Sequence, residues 1–327
     1  MSPSVISPAI SVVIPTRGRP ALLARCLAAL RAQAMDPRRY EVIVADDGPD
    51  TATATTVRAA ADAGGPAVRY LAVTGRHGPA AARNAGWRAA RGAVIAFTDD
   101  DCIPSRGWLA AGLAALEPDH DAVAGRVLVP RPARPTDYER TIGHLETAEF
   151  VTASCFCRRA ALERVGGFDE RFPAAWREDS DLQFTLLEHG ARVGRAPGAV
   201  VTHPVRAAPW GVSLREQRKS MFNALLYRKH PRLYRQRIQT APPWRYYAIV
   251  TALAGMAVGG AAGRPRLLAG AAAVWLALTA GFCRARLHGA SRAPSHVAEM
   301  ALTSALIPAL AVGWRLRGAL RYRVLFA

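Results

Sequence analysis

Residues 94–102 read VIAFTDDDC, and the fold follows from this stretch. A short apolar run that stops at three carboxylates, Asp99, Asp100 and Asp101, is a buried strand ending in a charged loop. Two further acidic clusters have related settings. Residues 41–48, EVIVADDG, place Asp46 and Asp47 at the end of a second β-branched run, and residues 177–182, REDSDL, place Glu178 and Asp179 on a helix. Ligands of open α/β sheets bind at the loops that follow the strands. Carboxylates gathered there repel one another, so a divalent cation, a polyhydroxyl ligand or a proton must stabilise them. The combination points to metal-bound nucleotide chemistry.

Outward from that stretch, apolar runs at 9–15, 40–47 and 67–73 read as strands, the first ended by Pro15. Helical patterns lie between them at 20–34, 51–63 and 79–91. The first carries Leu22, Leu23, Cys26, Leu27 and Leu30 on one stripe. This alternation predicts an α/β fold built of βαβ units with a mainly parallel sheet. After Asp101 the pattern predicts a helix over 106–117 and a strand over 121–129. A Pro- and charge-rich mobile loop with a short helix is expected over 130–150. Next come a strand over 151–157, a short helix over 159–165, a turn-rich loop GGFDERFP, a helix over 178–189 and a closing strand or two within 192–203.

The formal charge of +18 is divided unevenly. Residues 206–327 hold 19 Lys and Arg against two acidic residues, Glu216 and Glu299, so nearly all of the excess lies there. A basic tail can meet nucleic acid or anionic lipid. This one also holds three apolar segments, near 246–263, 267–283 and 297–313, which a nucleic-acid arm does not need; membrane is therefore the expected partner, and nucleic acid is not. Residues 213–237 interleave basic, apolar and aromatic side chains, as a helix lying at a membrane interface would. Arg264-Pro265-Arg266 suits a tight hairpin between the first two apolar segments, and the Gly and Ala content of the first suits packing on a partner helix. Five scattered cysteines without zinc spacing read as reduced thiols. Cys155 and Cys157 would share one face of their strand. The N-terminus lacks a basic leader region, so the catalytic part is expected in the cytoplasm.

Taken in order, SVVIPTRGRP, EVIVADDG, GPAAARNAGWRAARG, AFTDDDC, VGGFDERF and REDSDL resemble the family 2 glycosyltransferases, whose GT-A fold binds nucleotide-sugars, over roughly residues 9–205. The YRKHP segment ahead of terminal apolar helices is similar to that of membrane-attached members. The resemblance implies a DxD motif at Asp99-Asp100-Asp101, with Asp99 and Asp100 on the donor side and Asp101 on a divalent metal, Mn²⁺ or Mg²⁺. It implies that Asp46 accepts a hydrogen bond from the nucleotide base, that Pro15, Thr16 and Arg17 border the nucleotide, and that Arg83 and Asn84 line the donor site. The chain departs from the family at Arg17-Gly18, where an aromatic residue and Asn are common. Glu178-Asp179 matches the ED motif, with Asp179 as the base that deprotonates the acceptor. His203, after the last strand, stands where such enzymes can have a third metal contact; a structural role is the other reading.

Several neighbours are expected to be ordinary. Asp47 reads as a helix cap, Arg19 as solvated, His77 as a loop residue and Asp181 as a cap or surface group pointing away from Asp179. Trp176 is either a sugar platform or a core or lid residue. The expected organisation is a catalytic domain over 1–205, a basic interfacial segment over 206–240 and membrane helices over 241–327. The expected function is an inverting, metal-dependent glycosyltransferase at the cytoplasmic membrane face, taking a nucleotide-sugar donor and a glycan or lipid-linked acceptor in envelope glycan or glycolipid synthesis. A nucleotidyltransferase and a non-catalytic membrane-bound nucleotide-sugar-binding protein are the alternatives.

Overall fold

The computed structural model describes residues 8–116 and 118–326; residues 1–7, on which the leader reading partly rests, lie outside the described residues. The chain divides into two compact units, one of residues 1–130 and 144–205 and the other of residues 131–143 and 206–327.

The first unit opens with β1 (Ile10–Thr16), α1 (Pro20–Arg31), β2 (Tyr40–Asp46), α2 (Thr51–Asp62), β3 (Ala67–Ala72), α3 (Pro79–Ala89) and β4 (Val94–Phe97). Every residue of β1, β2 and β4 is buried, as expected of central strands covered on both faces. Pro at the first turn opens α1 and α3, where its missing N–H costs nothing. Asp50 caps α2, accepting from the Thr53 amide at 2.9 Å and its hydroxyl at 2.6 Å. Then follow β5 (Ile103–Pro104), α4 (Trp108–Leu116) and β6 (Ala122–Leu128). Helix α5 (Asp137–Gly143) belongs to the second unit. The first unit ends with β7 (Cys155–Arg158), α6 (Arg159–Val165), α7 (Glu178–Glu188) and β8 (Val193–Thr202).

The eight strands form one sheet in the order β3-β2-β1-β4-β7-β6-β8-β5. The β1–β2, β2–β3, β1–β4 and β6–β8 pairs are parallel, while β4–β7, β6–β7 and β5–β8 are antiparallel. The sheet is thus mixed, because β7 returns beside β4 in the opposite sense. Cys155 and Cys157 do share a face of β7 and join a core with Phe97, Phe168, Leu182 and Leu186. Helix α3 lies directly on β1: a Cβ added at Gly86 would stand 2.4 Å from Val13 Cγ1.

Register sets the site. Thr16 is level with Asp46 at the ends of β1 and β2, whereas β4 ends at Phe97, level with Val13. The step of three residues leaves room beside Thr16 for the Asp99–Asp101 loop.

The second unit contains α5, α8 (Val212–Glu216), α9 (Phe222–Lys229), α10 (Pro231–Arg237), α11 (Trp244–Ala261), α12 (Pro265–Leu287) and α13 (Pro294–Arg321). The single helix expected over 213–237 is broken. A 3₁₀ turn fills 217–221, and His230 leaves helical geometry (φ −132°, ψ 59°) because the following Pro231 disfavours it there. The short helix expected within 130–150 is α5, and it is tied to its own unit. Asp137 in α5 pairs with Arg286 at 2.7 Å, and Arg140 donates to the carbonyls of Arg286 and His288.

Among the described residues two helices, α12 and α13, are long and apolar enough to cross a membrane. The first expected segment, α11, is not among them; it opens on Trp244-Arg245-Tyr246-Tyr247 and is rich in glycine. It packs closely on α12 instead, where a Cβ at Gly259 would stand 2.7 Å from the Leu268 nitrogen.

Candidate active site

The acidic loop is held from both sides. The Thr16 hydroxyl donates to Asp100 Oδ2 at 2.6 Å, and Arg19 Nη2 contacts Asp100 Oδ1 at 2.8 Å. Arg19 Nη1 stands 3.6 Å from Asp101 Oδ2. Arg19 is therefore part of the loop's support and not a solvated side chain. Burial pushes the Asp100 carboxyl up to about 6, against the downward pull of Arg19 and Thr16.

Arg83, buried in α3, joins this loop to the ED segment. Its Nη2 donates to Asp99 Oδ1 at 2.7 Å and its Nη1 to Glu178 Oε1 at 3.1 Å. Burial alone would raise the Asp99 carboxyl, but the charge and hydrogen bond of Arg83 oppose it, and it is held below its ordinary range. Glu178 goes the other way. Burial, and then the neighbouring Asp179 charge, push it up to about 7, with Arg83 offsetting only part. Its Oε2 is buried without a hydrogen-bond partner.

Asp179 is half-buried in the first turn of α7 and accepts from the Ser180 amide at 2.7 Å; burial raises its carboxyl above the ordinary aspartate value. Helix α7 has no side-chain N-cap. Its first turn instead holds Glu178, Asp179 and Asp181, which the positive end of the helix dipole favours. The preceding Arg177 sits at φ 76°, a left-handed conformation that costs on the order of 1 kcal/mol for such a residue. Its guanidinium lies 4.5 Å over the Trp176 ring, whose indole N–H is buried without a partner. Asp181 is buried, so the expected surface position is wrong: two residues along a helix from Asp179 lies the protein interior here.

At the ends of β1 and β2, Asp46 is fully buried and accepts from the Gly48 amide (3.1 Å), the Asp50 amide (3.4 Å) and the Tyr70 hydroxyl (2.9 Å). Asp47 does not cap α2, since Asp50 does. It instead accepts from the Gly78 amide at 2.9 Å and meets His77 Nδ1 at 3.1 Å and Arg17 at 3.5 Å. His77 and Asp47 thus tie the second strand-end loop to the start of α3. Pro15 and Thr16 are buried at the end of β1, and Arg17 is exposed just beyond it.

Asn84 is spent internally. Its amide nitrogen donates to the Phe168 carbonyl (2.8 Å) and Glu170 (2.9 Å), while its oxygen accepts from the Phe168 amide and the Trp87 indole, both at 2.9 Å. It fixes the GGFDERF loop against α3 and has 1% of its surface exposed.

His203 follows β8, with Nε2 at 3.5 Å from Asp101 Oδ1 and a buried, unpartnered Nδ1. Asp99, Asp101, Cys102 and His203 each offer one ligand atom, and these atoms all lie within 4.8 Å of one another. The structure brings together Thr16, Asp99, Asp100, Asp101, Arg83, Glu178 and His203 through these contacts. Arg19, Tyr70 and Cys102 are the members that the sequence reading left out. Each joins through a contact distant in sequence or, for Cys102, through a turn that local pattern does not reveal.

A family model described as glycosyl transferase family 2 matches residues 11–166, and one described as glycosyl transferase family group 2 matches residues 94–314. The pre-mycofactocin glycosyltransferase of Mycobacterium tuberculosis is 34% identical over 215 residues, 60% of this chain and 43% of its own length. The match thus spans about two fifths of that relative. Glycosyltransferase AglE of Haloferax volcanii is 28% identical over 222 residues, 64% of this chain and 71% of its own. In fold, the chain is similar to a mannosyltransferase from Pyrobaculum calidifontis solved in complex with GDP-Man and Mn²⁺, with a TM-score of 0.62 and 22% identity, over 95% of this chain and 87% of that one.

Proposed function

Because the chain belongs to glycosyl transferase family group 2, we propose that it transfers a sugar from a nucleotide-sugar donor to a hydroxyl acceptor, with inversion and with a divalent cation. The observation that carries this reading is Arg83, which couples the strand-end carboxylate Asp99 to the ED carboxylate Glu178. A donor-side loop and an acceptor-side helix are thereby held in one constellation.

In this reading Asp179 takes the proton of the acceptor hydroxyl as the oxygen attacks the anomeric carbon opposite the departing nucleoside diphosphate. Its half-buried setting, which raises its affinity for a proton, suits a base. Glu178 and Arg83 orient the first turn of α7. Arg83 is committed to two carboxylates, so it acts here as a positioning residue. Asp46, with Tyr70 on one oxygen, borders the nucleotide base together with Pro15 and Thr16. Arg17, the exposed cation of the first loop, faces the phosphates. Asn84 serves the donor site indirectly, through the loop it pins.

The donor set fits a cation such as Mn²⁺ or Mg²⁺: clustered carboxylate oxygens of Asp99 and Asp101, with an imidazole nitrogen of His203 whose partner nitrogen is unbonded. When bound, such a cation would hold the donor diphosphate and offset the charge of the leaving group.

We assign residues 1–205 to the catalytic part, 206–240 to a basic interfacial part and 241–327 to membrane attachment, supported by the charge break and by α12 and α13. The catalytic part then faces the cytoplasm, and a glycan or lipid-linked acceptor is the matching substrate class. The test is release of free nucleoside diphosphate by the purified full chain given sugar nucleotides, Mn²⁺ and acceptors. Release should require the cation and should vanish in Asp101→Ala at unchanged melting temperature. Pyrophosphate in place of nucleoside diphosphate would instead identify nucleotidyl transfer.

A further inference from the structure

Cys102 is the member of the acidic loop for which sugar transfer has no use. Its backbone amide donates to the Asp99 carbonyl at 3.1 Å, closing a tight turn, and the residue is fully buried. The turn brings its Sγ into the same small group as the carboxylates of Asp99 and Asp101 and the imidazole of His203, every ligand atom within 4.8 Å of every other. Ligand distances of about 2.0–2.3 Å around Zn²⁺ require these four atoms to draw together on an ion. The other nearby thiol, Cys26, contacts the Asp99 carbonyl at 3.5 Å and is not in the group.

The chemistry of the set matters. Mg²⁺ and Mn²⁺ favour oxygen ligands, Mn²⁺ accepting an imidazole beside them, and neither favours sulfur. One sulfur, one imidazole nitrogen and two carboxylate oxygens are a tetrahedral set for Zn²⁺. Zn²⁺ also lies well above Mn²⁺ in the order of divalent affinities at mixed nitrogen, oxygen and sulfur sites. A catalytic ion needs an open position for its substrate, while four protein ligands close the sphere.

We propose that Cys102 gives this site a second, closed state, in which Asp99, Asp101, Cys102 and His203 together hold a thiophilic cation of the Zn²⁺ class and thereby exclude the donor diphosphate. The proposal rests on the divalent-cation reading of the same loop given above. On binding, the sulfur–metal bond forms as the thiol proton leaves to solvent, with no change of oxidation state. Zinc is then an inhibitor that competes with the catalytic cation, and the site senses it through one sulfur.

Cobalt(II) reads this directly, without any activity measurement. Added to the purified full chain, Co²⁺ should give a near-ultraviolet sulfur-to-cobalt charge-transfer band together with the intense visible bands of tetrahedral cobalt. Zn²⁺ should abolish both by displacement. Cys102→Ser and Cys102→Ala should lack the charge-transfer band, and Zn²⁺ affinity should fall at least ~10-fold, the lower bound for losing even an outer-shell partner. The wild-type spectrum is decisive by itself if a variant folds poorly. Co²⁺ bound with no charge-transfer band overturns the thiol ligand but leaves the oxygen-based cation site standing. No Co²⁺ uptake at all overturns both the closed state and the cation reading beneath it.

Discussion

Replacing Arg83 with methionine keeps the aliphatic stem inside α3 but removes the charge between Asp99 and Glu178. Breaking a buried ion pair typically costs about 3–5 kcal/mol, because the remaining charge is left uncompensated. Here the two partners respond differently. Glu178 already binds its proton up to about pH 7, so at neutral pH it escapes much of the penalty by protonation. Asp99, held ionised by Arg83, carries the larger share. The expected loss is therefore at the low end, about 3 kcal/mol, or roughly 6–12 °C in melting temperature for a domain of this size. The pH dependence identifies the cause. Asp99 is held below its ordinary 3.8, so in the wild type it contributes stability that is present at pH values above this and lost as pH falls. Glu178 is held above its ordinary 4.5, so stability present below that value is lost as pH rises through about 7. Without Arg83 the first gain disappears and the second loss deepens. The gap in melting temperature between wild type and Arg83→Met should therefore widen from pH 5 to pH 8. Adding Glu178→Gln should restore part of the stability, with a coupling of about 0.5–3 kcal/mol. Thermal scans of the four proteins at both pH values decide it. A gap under about 2 °C, or one equal at pH 5 and pH 8, would refute the bridge.

Three further outcomes follow from the same geometry. Asp179→Asn should bind donor nearly normally and lose about 10²–10⁴-fold in turnover, and wild-type turnover should rise with pH along a limb displaced above the ordinary aspartate value; equal loss of donor affinity, or a limb at the ordinary value, would remove Asp179 as the base. Gly86→Ala should cost about 1–3 kcal/mol and weaken donor binding as well, since its Cβ would press on Val13 and lift α3, with Arg83, off β1; unchanged thermal scans would show that the contact relaxes. The full chain should stay with membranes through a high-salt, alkaline wash, while a chain ending at residue 240 should be released by salt; a salt-released full chain would deny α12 and α13 a membrane role.

The first strands were plain in the sequence because their runs are buried on both faces and end in polar loops, as at Val94–Phe97. The later strands, expected over 121–129, 151–157 and within 192–203, are present as β6, β7 and β8, but their directions were not legible. The antiparallel β4–β7 pair joins segments far apart in the chain, and strand patterns carry no label for direction. The acidic clusters could be found as clusters, but not their partners. Arg19 lies in a Pro- and Gly-rich turn that looks solvated, and its role depends on a loop eighty residues later coming within 2.8 Å. Asp181 was misplaced because helical spacing shows which residues diverge, not which direction is solvent. The break at His230-Pro231 was legible, since proline restricts its predecessor; the run of basic and apolar residues across it hid a boundary that this local rule already marked.

Asn84 sets a limit on how the enzyme can be re-engineered. Three of its four bonds clamp residues 168–170 to α3, the fourth holding the Trp87 indole of α3 itself, and a Cβ at Gly167 would strike both Asn84 Oδ1 and Trp87 Nε1 at 2.6 Å. Farther along, Arg83 anchors Glu178. The stretch 171–177 is thus a short bridge between two fixed piers. Libraries can vary exposed positions of that span such as Arg171 and Ala175, but not the fully buried Phe172, and any that include positions 84, 87 or 167 put at risk the contacts that hold its ends in place.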